Sequence, residues 1–400
     1  MDDFGTILKQ AEQGDAQAQF RAGNCCQQGL LGVRPDLPAA IRWYESAAAQ
    51  GHVDALVNLG IIYISVLPSS GGTKDSAKAC TLFKRAAEKG DAQAAFYLGQ
   101  ILLKGDGVPA DLALGIAWLE RASGAGFAPA QFELGARSLQ GKGVEKNPRR
   151  AAALFRKAAE QGHAAAQHNL AAMLISGNMG IPQDQAEGLR WLVAAARGGD
   201  PDSQYELGQR LRQGQGCDPD LPSALALYKE AASKEHVGAM YTAGLMLAEG
   251  KGLDRPRPDL AEQFYQHAAM KGHAGAAHNL AILFAKGLGV GQDLDLAYEL
   301  MEYAVSLGED GAMFSAGLAL LQMTPPDLVR AAMWAILSIN HVPDGPGRKL
   351  LDNVLPQMTP SQMEEAKARA ASWKREPKTM AWHTYSKGSP DAVVQGQPLP

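Results

Sequence analysis

The feature that most constrains this chain is a unit of about 36 to 39 residues that repeats along most of the sequence. Each copy contains a small residue that is followed five positions later by Gly or Ala. The pairs are Ala18/Gly23, Ala55/Gly60, Ala94/Gly99, Ala130/Gly135, Ala166/Ala171, Ser203/Gly208, Ala239/Gly244, Ala276/Ala281 and Ala312/Gly317. A chain with such a period folds as a stack of similar units, so its 400 residues do not predict two or three globular domains.

The composition favours helices as the content of each unit. Hydrophobic residues make up 46% of the chain but aromatic residues only 6%. Strands are enriched in β-branched and aromatic residues, whereas small residues let helices pack closely. Glycine inside a helix costs about 1 kcal/mol relative to alanine, so its recurrence predicts a close approach by a neighbouring helix. We therefore expect an all-α protein.

Each unit is predicted to be a helical hairpin with recognisable ends. A glycine pair ends the first helix of most copies, as in Gly105-Asp106-Gly107 and Gly250-Lys251-Gly252. The second helix then opens on Asp or Asn, whose side chains are favourable N-caps. The expected N-caps are Asp36, Asp75, Asp111, Asn147, Asp184, Asp220, Asp293 and Asp327.

The second helix carries a bulky residue and then a pair of small ones. The expected bulky residues are Trp43, Phe83, Trp118, Phe155, Trp191, Tyr228, Phe264 and Trp334. Alanine pairs such as Ala47-Ala48 and Ala158-Ala159 follow them. The regular position beside the alanines predicts that these rings are core residues rather than a stacking platform for bases or sugars.

Together these marks resemble the Sel1 repeat, a relative of the tetratricopeptide repeat. Nine copies cover residues 15–343. The resemblance implies an α/α solenoid, a right-handed superhelix of about nine Sel1-like hairpins with capping helices at both ends. The second copy departs from the pattern at residues 65–74, and the seventh carries an extra proline-rich stretch at residues 255–258. The ninth copy lacks the turn glycines.

The ends of the stack are predicted to be covered, because a repeat buries its apolar face only against its neighbours. Residues 1–14 are expected to form an N-terminal capping helix, and residues 344–375 the C-terminal capping helices. Thr359 and Gln362 have the spacing of a capping box that opens a helix running to about Trp373. The Pro, Gly, Ser and Gln content of residues 376–400 predicts a disordered tail.

Charge and targeting signals exclude several classes of partner. The net charge of −4 and pI of about 6.2 give no reason to expect nucleic acid or an anionic membrane. The acidic start is unlike a secretory signal, and no apolar run approaches the roughly 18 residues of a membrane span. We expect a cytoplasmic protein without membrane insertion. The cysteines Cys25, Cys26, Cys80 and Cys217 lack the paired spacing of a disulfide framework or zinc site.

An enzyme is the main alternative, because lactamase-like activity is associated with some cysteine-rich Sel1 relatives. The chain lacks their paired cysteines and contains no Ser-x-x-Lys, Gly-x-Ser-x-Gly or His-Glu-x-x-His motif. Histidines recur at one repeat position, His52, His163, His236 and His273. His168 and His278 follow five residues after His163 and His273. This spacing does not place two ligands on one helix face. We predict no catalytic residue, no cofactor and no metal site.

The first helix of each unit has a second face that could bind a partner. In the sixth copy Leu207 and Leu211 belong to the packing stripe, whereas Tyr205 and Gln209 lie on another face. In the tetratricopeptide superhelices that this chain resembles, the corresponding positions line a concave groove. The candidate partner-binding residues are Phe20, Asn24, Gln28, Phe96, Gln100, Lys104, Tyr205, Gln209, Arg212, Gln213 and Tyr241. Aromatic and amide groups suit an extended peptide or helix. Partly buried contacts within the repeat are the alternative.

The resemblance favours a regulatory, bacterial-type adaptor or scaffold, a monomer that holds another protein or peptide in its groove. This step from fold to role is an analogy. Two other functions stay open at this point: a β-lactamase-like or other hydrolase, and a structural spacer that oligomerises. The identity of the partner is not predicted.

Overall fold

The protein was examined as a computed structural model, which describes residues 3–65, 74–178, 180–216, 218–380 and 382. These residues contain α-helices and one short 3-10 turn at Leu355–Gln357, and no β-strand. The helices are α1 Phe4–Glu12, α2 Ala16–Gln28, α3 Leu37–Ala49, α4 Val53–Ser65, α5 Ser76–Glu88, α6 Ala92–Lys104, α7 Leu112–Gly124, α8 Ala128–Gln140, α9 Pro148–Glu160, α10 Ala164–Ser176, α11 Gln185–Arg197, α12 Pro201–Gln213, α13 Leu221–Ser233, α14 Val237–Glu249, α15 Pro258–Met270, α16 Ala274–Lys286, α17 Leu294–Ser306, α18 Gly311–Gln322, α19 Leu328–His341, α20 Pro346–Val354 and α21 Pro360–Ser372.

The helices pair as antiparallel hairpins in two compact units, Met1–Gly198 and Gly199–Pro400. In the first unit the hairpins are α2/α3, α4/α5, α6/α7, α8/α9 and α10/α11. In the second unit they are α12/α13, α14/α15, α16/α17 and α18/α19. Within each unit the second helix of one hairpin also packs on the first helix of the next. The predicted all-α solenoid of helical hairpins is confirmed.

A tight contact between the two helices of a hairpin explains the recurring glycine. A Cβ atom built on Gly135 would lie 2.7 Å from Cε1 of Phe155, and one on Gly60 would lie 2.7 Å from Cε1 of Phe83. Both rings are fully buried. Because real Cβ atoms do not approach a buried ring this closely, the glycine makes room for the aromatic side chain. The expected close approach is confirmed.

The buried side chain lies one residue later than predicted in four of the copies. Trp43, Trp118, Trp191 and Phe264 are only partly buried. The residues that fill the fully buried position are Tyr44, Leu119, Leu192 and Tyr265. One residue turns a helix by about 100°, so only one of two adjacent side chains faces the partner helix. Phe83, Phe155, Tyr228 and Trp334 are buried as expected.

The N-caps of the second helices are those that were expected. Each accepts a hydrogen bond of 2.8 to 3.0 Å from the backbone N–H three residues later. The caps are Asp36, Asp75, Asp111, Asn147, Asp184, Asp220, Asp293 and Asp327. In the seventh copy Arg257 occupies the position and its side chain forms no cap hydrogen bond.

Additional helices contact the first and last hairpins. Ile7 and Ala11 of α1 are buried against Ala18 and Ala22 of α2. The helices α20 and α21 both pack on α19, and Thr359 and Gln362 form the predicted capping box at the start of α21. The boundaries at residues 1–14, 15–343, 344–375 and 376–400 stay predictions. The loop at residues 66–73, Cys217 and most of the tail, residues 381 and 383–400, lie outside the described residues.

No helix in the described part of the chain is long and apolar enough to cross a membrane.

Candidate functional site

Histidines cap the first helices, a role that sequence reasoning missed. The Nδ1 atoms of His163, His236 and His273 accept a hydrogen bond from the backbone N–H three residues later, at 3.3, 2.9 and 3.1 Å. Asp15, Asp91 and Asp200 cap equivalent helices in other copies. An imidazole accepts such a bond only through an unprotonated nitrogen, so the cap requires that Nδ1 carry no proton. The available signal was their position, equivalent to that of the aspartates.

These three histidines, and His52 at the equivalent position of the second copy, each stack on an aromatic ring of the preceding repeat. The ring centroids lie 4.7 Å apart in Phe20/His52 and Phe132/His163, 4.5 Å apart in Tyr205/His236 and 4.3 Å apart in Tyr241/His273. In the third copy Phe96 packs at 5.4 Å on Phe127, which replaces the histidine. Phe20, Phe96, Tyr205 and Tyr241 are therefore half-buried contacts between neighbouring repeats, with only part of each ring exposed.

The polar candidates of the first copy also make contacts inside the fold. The Tyr44 hydroxyl lies 2.6 Å from Oδ1 of Asn24 and 2.7 Å from Oε1 of Gln27. Asn24 is thus part of the polar environment of a buried phenol, whereas Gln28 is exposed. In the third copy Gln100 is half-buried and Lys104 is exposed.

Arg212 in the sixth copy differs from the expected surface residue. Its Nε atom is buried without a hydrogen-bond partner among the described residues. Burial raises the pKa of the neighbouring Tyr228 hydroxyl, and the positive charge of Arg212 opposes that rise. The guanidinium group therefore lies near the Tyr228 phenol, while Gln213 is exposed.

The structure does bring two of the candidates together in one cleft. The cleft has a volume of about 390 Å³. It lies at the sixth repeat of the chain, which is the first hairpin of the second unit. Its lining consists of Asp202, Tyr205, Glu206, Gln209, Arg210, Gln215 and His236. Tyr205 and Gln209 were predicted as candidates, whereas Arg212 and Gln213 from the same helix do not line the cleft.

The charges in the cleft are partly compensated. Arg210 donates to Oε1 of Glu206 at 2.8 and 3.1 Å, the i,i+4 pairing that a helix favours. The Asp202 carboxylate is 68% exposed and lies 3.3 Å from Nε2 of His236. The cleft therefore offers an accessible carboxylate, amide groups and a phenol, which suit the side chains and backbone of another polypeptide.

The predicted absence of a metal site stays a prediction. Within the described ranges no three His, Cys, Asp or Glu side chains are grouped to hold a metal ion. His278 Nε2 lies 2.8 Å from the Ser315 hydroxyl, and burial lowers the pKa of His278. Cys25 and Cys26 are free thiols whose pKa burial raises.

Part of this chain is similar to proteins that are named as a regulatory factor and as a ligase component. The chain is similar to chitin synthase regulatory factor 3 of Schizosaccharomyces pombe, at 32% identity over 119 residues. It is also similar to HRD3B of Arabidopsis thaliana, an ERAD-associated E3 ubiquitin-protein ligase component, at 31% identity over 111 residues. These matches cover 29% and 28% of this chain but only 12% and 17% of the two relatives.

Comparison with solved structures supports the fold. A Sel1 repeat protein from Oxalobacter formigenes is 30% identical, with a TM-score of 0.57, and the match covers 77% of this chain and 88% of that one. The family model for the Sel1 repeat matches residues 16–52, 53–91, 92–127, 128–163, 164–200, 201–236, 237–273 and 274–309. Because these segments span well over half of the chain, the protein belongs to the Sel1 repeat family.

Proposed function

We propose that this protein is a non-enzymatic scaffold that holds a peptide or protein partner on the exposed face of its first helices. The proposed state is a monomer in the cytoplasm with a regulatory role. The cleft of the sixth repeat is the proposed anchor for the partner. The observation that carries the proposal is that Tyr205 and Gln209, chosen from the repeat pattern, line this cleft together with the exposed Asp202.

The relatives support a role in regulation or assembly. One is named a regulatory factor of chitin synthase and another a component of a ubiquitin ligase. Both names describe proteins that act together with an enzyme. Since Sel1 repeats make up most of this chain, we infer that its repeats also contact another protein.

The composition of the cleft supports a polypeptide partner. The ring of Tyr205 is held in place by His236 on one side and by Tyr228, whose centroid lies 5.6 Å away. A ring fixed in this way presents its hydroxyl edge without losing further conformational entropy when a partner binds. Gln209 and Gln215 add amide donors and acceptors that pair with a peptide backbone.

The experiment removes the polar lining and leaves the stacked rings intact. We expect the combined variant Asp202→Ala, Gln209→Ala and Gln215→Ala to keep the thermal transition of the parent. Its recovery of partners after affinity capture and quantitative mass spectrometry should fall about tenfold or more, because a few residues clustered at the centre of an interface carry most of its binding energy. Arg212 is left unchanged, since its Nε atom is buried and its loss would also test folding.

A matched control carries substitutions on exposed second-helix positions of α9, Lys157→Ala and Glu160→Ala. This control should retain every partner. Equal recovery by the parent, the cleft variant and the control would remove the cleft from the proposal.

A further inference from the structure

The residues that follow α21 form an extended segment that returns to the body of the second unit. We call residues 373–380 and 382 the C-terminal strap. The indole of Trp373 contacts the Trp334 ring edge-on, with centroids 5.7 Å apart. At the far end Trp382 contacts Tyr303 of α17 in the same way, at 5.7 Å and 80°. Two aromatic contacts therefore mark the beginning and the end of the strap.

Between these rings the strap is attached by two ion pairs and by the half-buried side chain of Met380, which packs against the core of the second unit. Arg375 forms an ion pair with Asp310, and Lys378 forms one with Glu302. Asp310 also lies 3.3 Å from Nδ1 of His341, and Glu302 accepts a hydrogen bond of 2.7 Å from the Tyr298 hydroxyl. The body thus contributes the acids and the strap contributes the bases. We call Glu302, Tyr303 and Asp310 the acidic–aromatic patch.

The polar contacts that attach the strap are weak. Residues 374–379 are exposed, and residues 374–380 form no backbone–backbone hydrogen bond with the described part of the chain. The paired side chains of Arg375 and Asp310 remain 36% and 38% exposed. Ion pairs this accessible to solvent contribute little, and segments held only by side chains open far more easily than the core.

We infer that the acidic–aromatic patch is a docking site for an extended basic segment of a partner protein, and that the strap is its internal occupant. The charges define the partner: two basic residues three positions apart, followed by an aromatic residue four positions later, as in Arg375, Lys378 and Trp382. A partner segment of this kind displaces the strap and takes over its ion pairs and ring contact. The inference does not depend on the cleft, which uses other residues.

The test measures binding of a labelled peptide with the sequence of residues 374–382 to the full chain. In the parent the strap occupies the patch, so the apparent affinity is reduced by the small fraction of open molecules. The variant Arg375→Glu with Lys378→Glu repels its own strap from Glu302 and Asp310. It should bind the peptide at least about tenfold more tightly than the parent does. Binding should weaken in about 0.5 M salt.

Two further variants make the result specific. A peptide with glutamate at both basic positions should not bind any form of the protein. Adding Glu302→Gln and Asp310→Asn to the strap variant should abolish peptide binding. The Asp310→Asn change should leave α18 intact, because the Asp310 side chain makes no cap hydrogen bond. If the double strap variant does not fold, Trp382→Ala opens the patch by removing the ring contact.

Equal affinity of the peptide for the parent and the opened variants, or no binding to an opened and folded variant, would overturn the inference. A parent that is dimeric by light scattering, and monomeric after Arg375→Glu, would make a second copy of this chain the occupant and would likewise exclude the proposed partner.

Discussion

At the scale of single residues, the hairpin depends on a glycine that faces a large buried side chain. The copies use different pairs of residues at this contact. In the fourth copy Gly135 faces Phe155, whereas the fifth copy has Ala171 on its first helix and Leu192 as the buried residue of its second helix. The fifth copy therefore accommodates a Cβ on its first helix opposite a side chain that is smaller than Phe155. The volume of the pair matters more than the identity of either residue.

This compensation makes a prediction for the fourth copy. Gly135→Ala should lower the free energy of unfolding by about 1 to 3 kcal/mol, because the overpacking penalty exceeds the gain of up to about 1 kcal/mol in helix propensity. Phe155→Leu alone should also destabilise by leaving a cavity. The double variant should lose less than the sum of the two, as measured by shifts of the urea transition. Additive losses would contradict the contact.

The histidine caps predict a pH dependence of stability. Burial lowers the pKa of His163 and of His273 below the ordinary value of about 6.5, although Glu309 opposes the shift at His273. As the pH falls below that value, the unfolded chain binds protons that the folded chain resists. The free energy of unfolding therefore decreases with falling pH, until the folded-state pKa is reached. Melting temperatures recorded between about pH 7.5 and 5 should follow this sign.

The control replaces both histidines by another natural cap. His163→Asp with His273→Asp keeps a cap of the kind that Asp91 provides, but aspartate stays charged in that pH range. The pH dependence should become shallower, with a remaining part from His278, whose pKa is also lowered and which Glu309 faces. An equally steep dependence would exclude the caps as its source.

At the scale of elements, several of the glycine turns that end first helices also join neighbouring repeats. The second glycine of a turn lies over the start of the preceding repeat's second helix: a Cβ on Gly289 would lie 2.5 Å from the backbone nitrogen of Asp259. On Gly252 it would lie 2.7 Å from the carbonyl oxygen of Leu221. Backbone atoms cannot move aside as a flexible side chain can, so this glycine is required by the stack as well as by the turn.

The two glycines of one turn can therefore be separated by experiment. Gly287 and Gly289 both have positive φ, at 65° and 73°, but a Cβ on Gly287 would meet nothing closer than 3.4 Å. Gly287→Ala should cost about 1 kcal/mol for the left-handed backbone alone. Gly289→Ala should cost clearly more, because it also separates the seventh and eighth repeats. Equal shifts in the urea midpoint would show that only the turn geometry matters.

At the scale of the whole molecule, the two units differ in how their cores are connected. Among the described residues, the second unit has one buried cluster that extends from Ala224 to Ala370. The first unit divides its core among four clusters. Each repeat of a solenoid contacts only its neighbours. We therefore expect the destabilising effect of a core substitution to extend along the stack as far as the buried core is continuous.

Matched alanine substitutions should show this difference. Ala159 and Ala269 are both the second member of a buried alanine pair. Ala159→Leu should overpack the fourth hairpin by about 1 to 3 kcal/mol and raise hydrogen exchange mainly in α8 to α10. Ala269→Leu should raise exchange over much of the second unit. The same local pattern for both variants would contradict a link between core continuity and cooperativity.

The sequence by itself determined the hairpins and their ends. The small-residue spacing, the glycine turns and the Asp or Asn caps are local features, because each depends on neighbours within a few residues along the chain. For this reason the eight second-helix caps and the all-α solenoid were predicted correctly. The prediction was wrong by one residue at Trp43, Trp118, Trp191 and Phe264, since period alone does not say which of two adjacent rings faces the partner helix.

Only the tertiary structure decided which side chains join one repeat to the next. The candidate binding face stays a prediction, and two of its residues, Phe20 and Tyr241, stack on His52 and His273 from the following repeat. The cleft lining and the strap on Glu302 and Asp310 combine residues that are distant along the chain. Such contacts depend on the rotation between successive hairpins, which is set by packing of whole helices and cannot be read from the spacing of residues within one repeat.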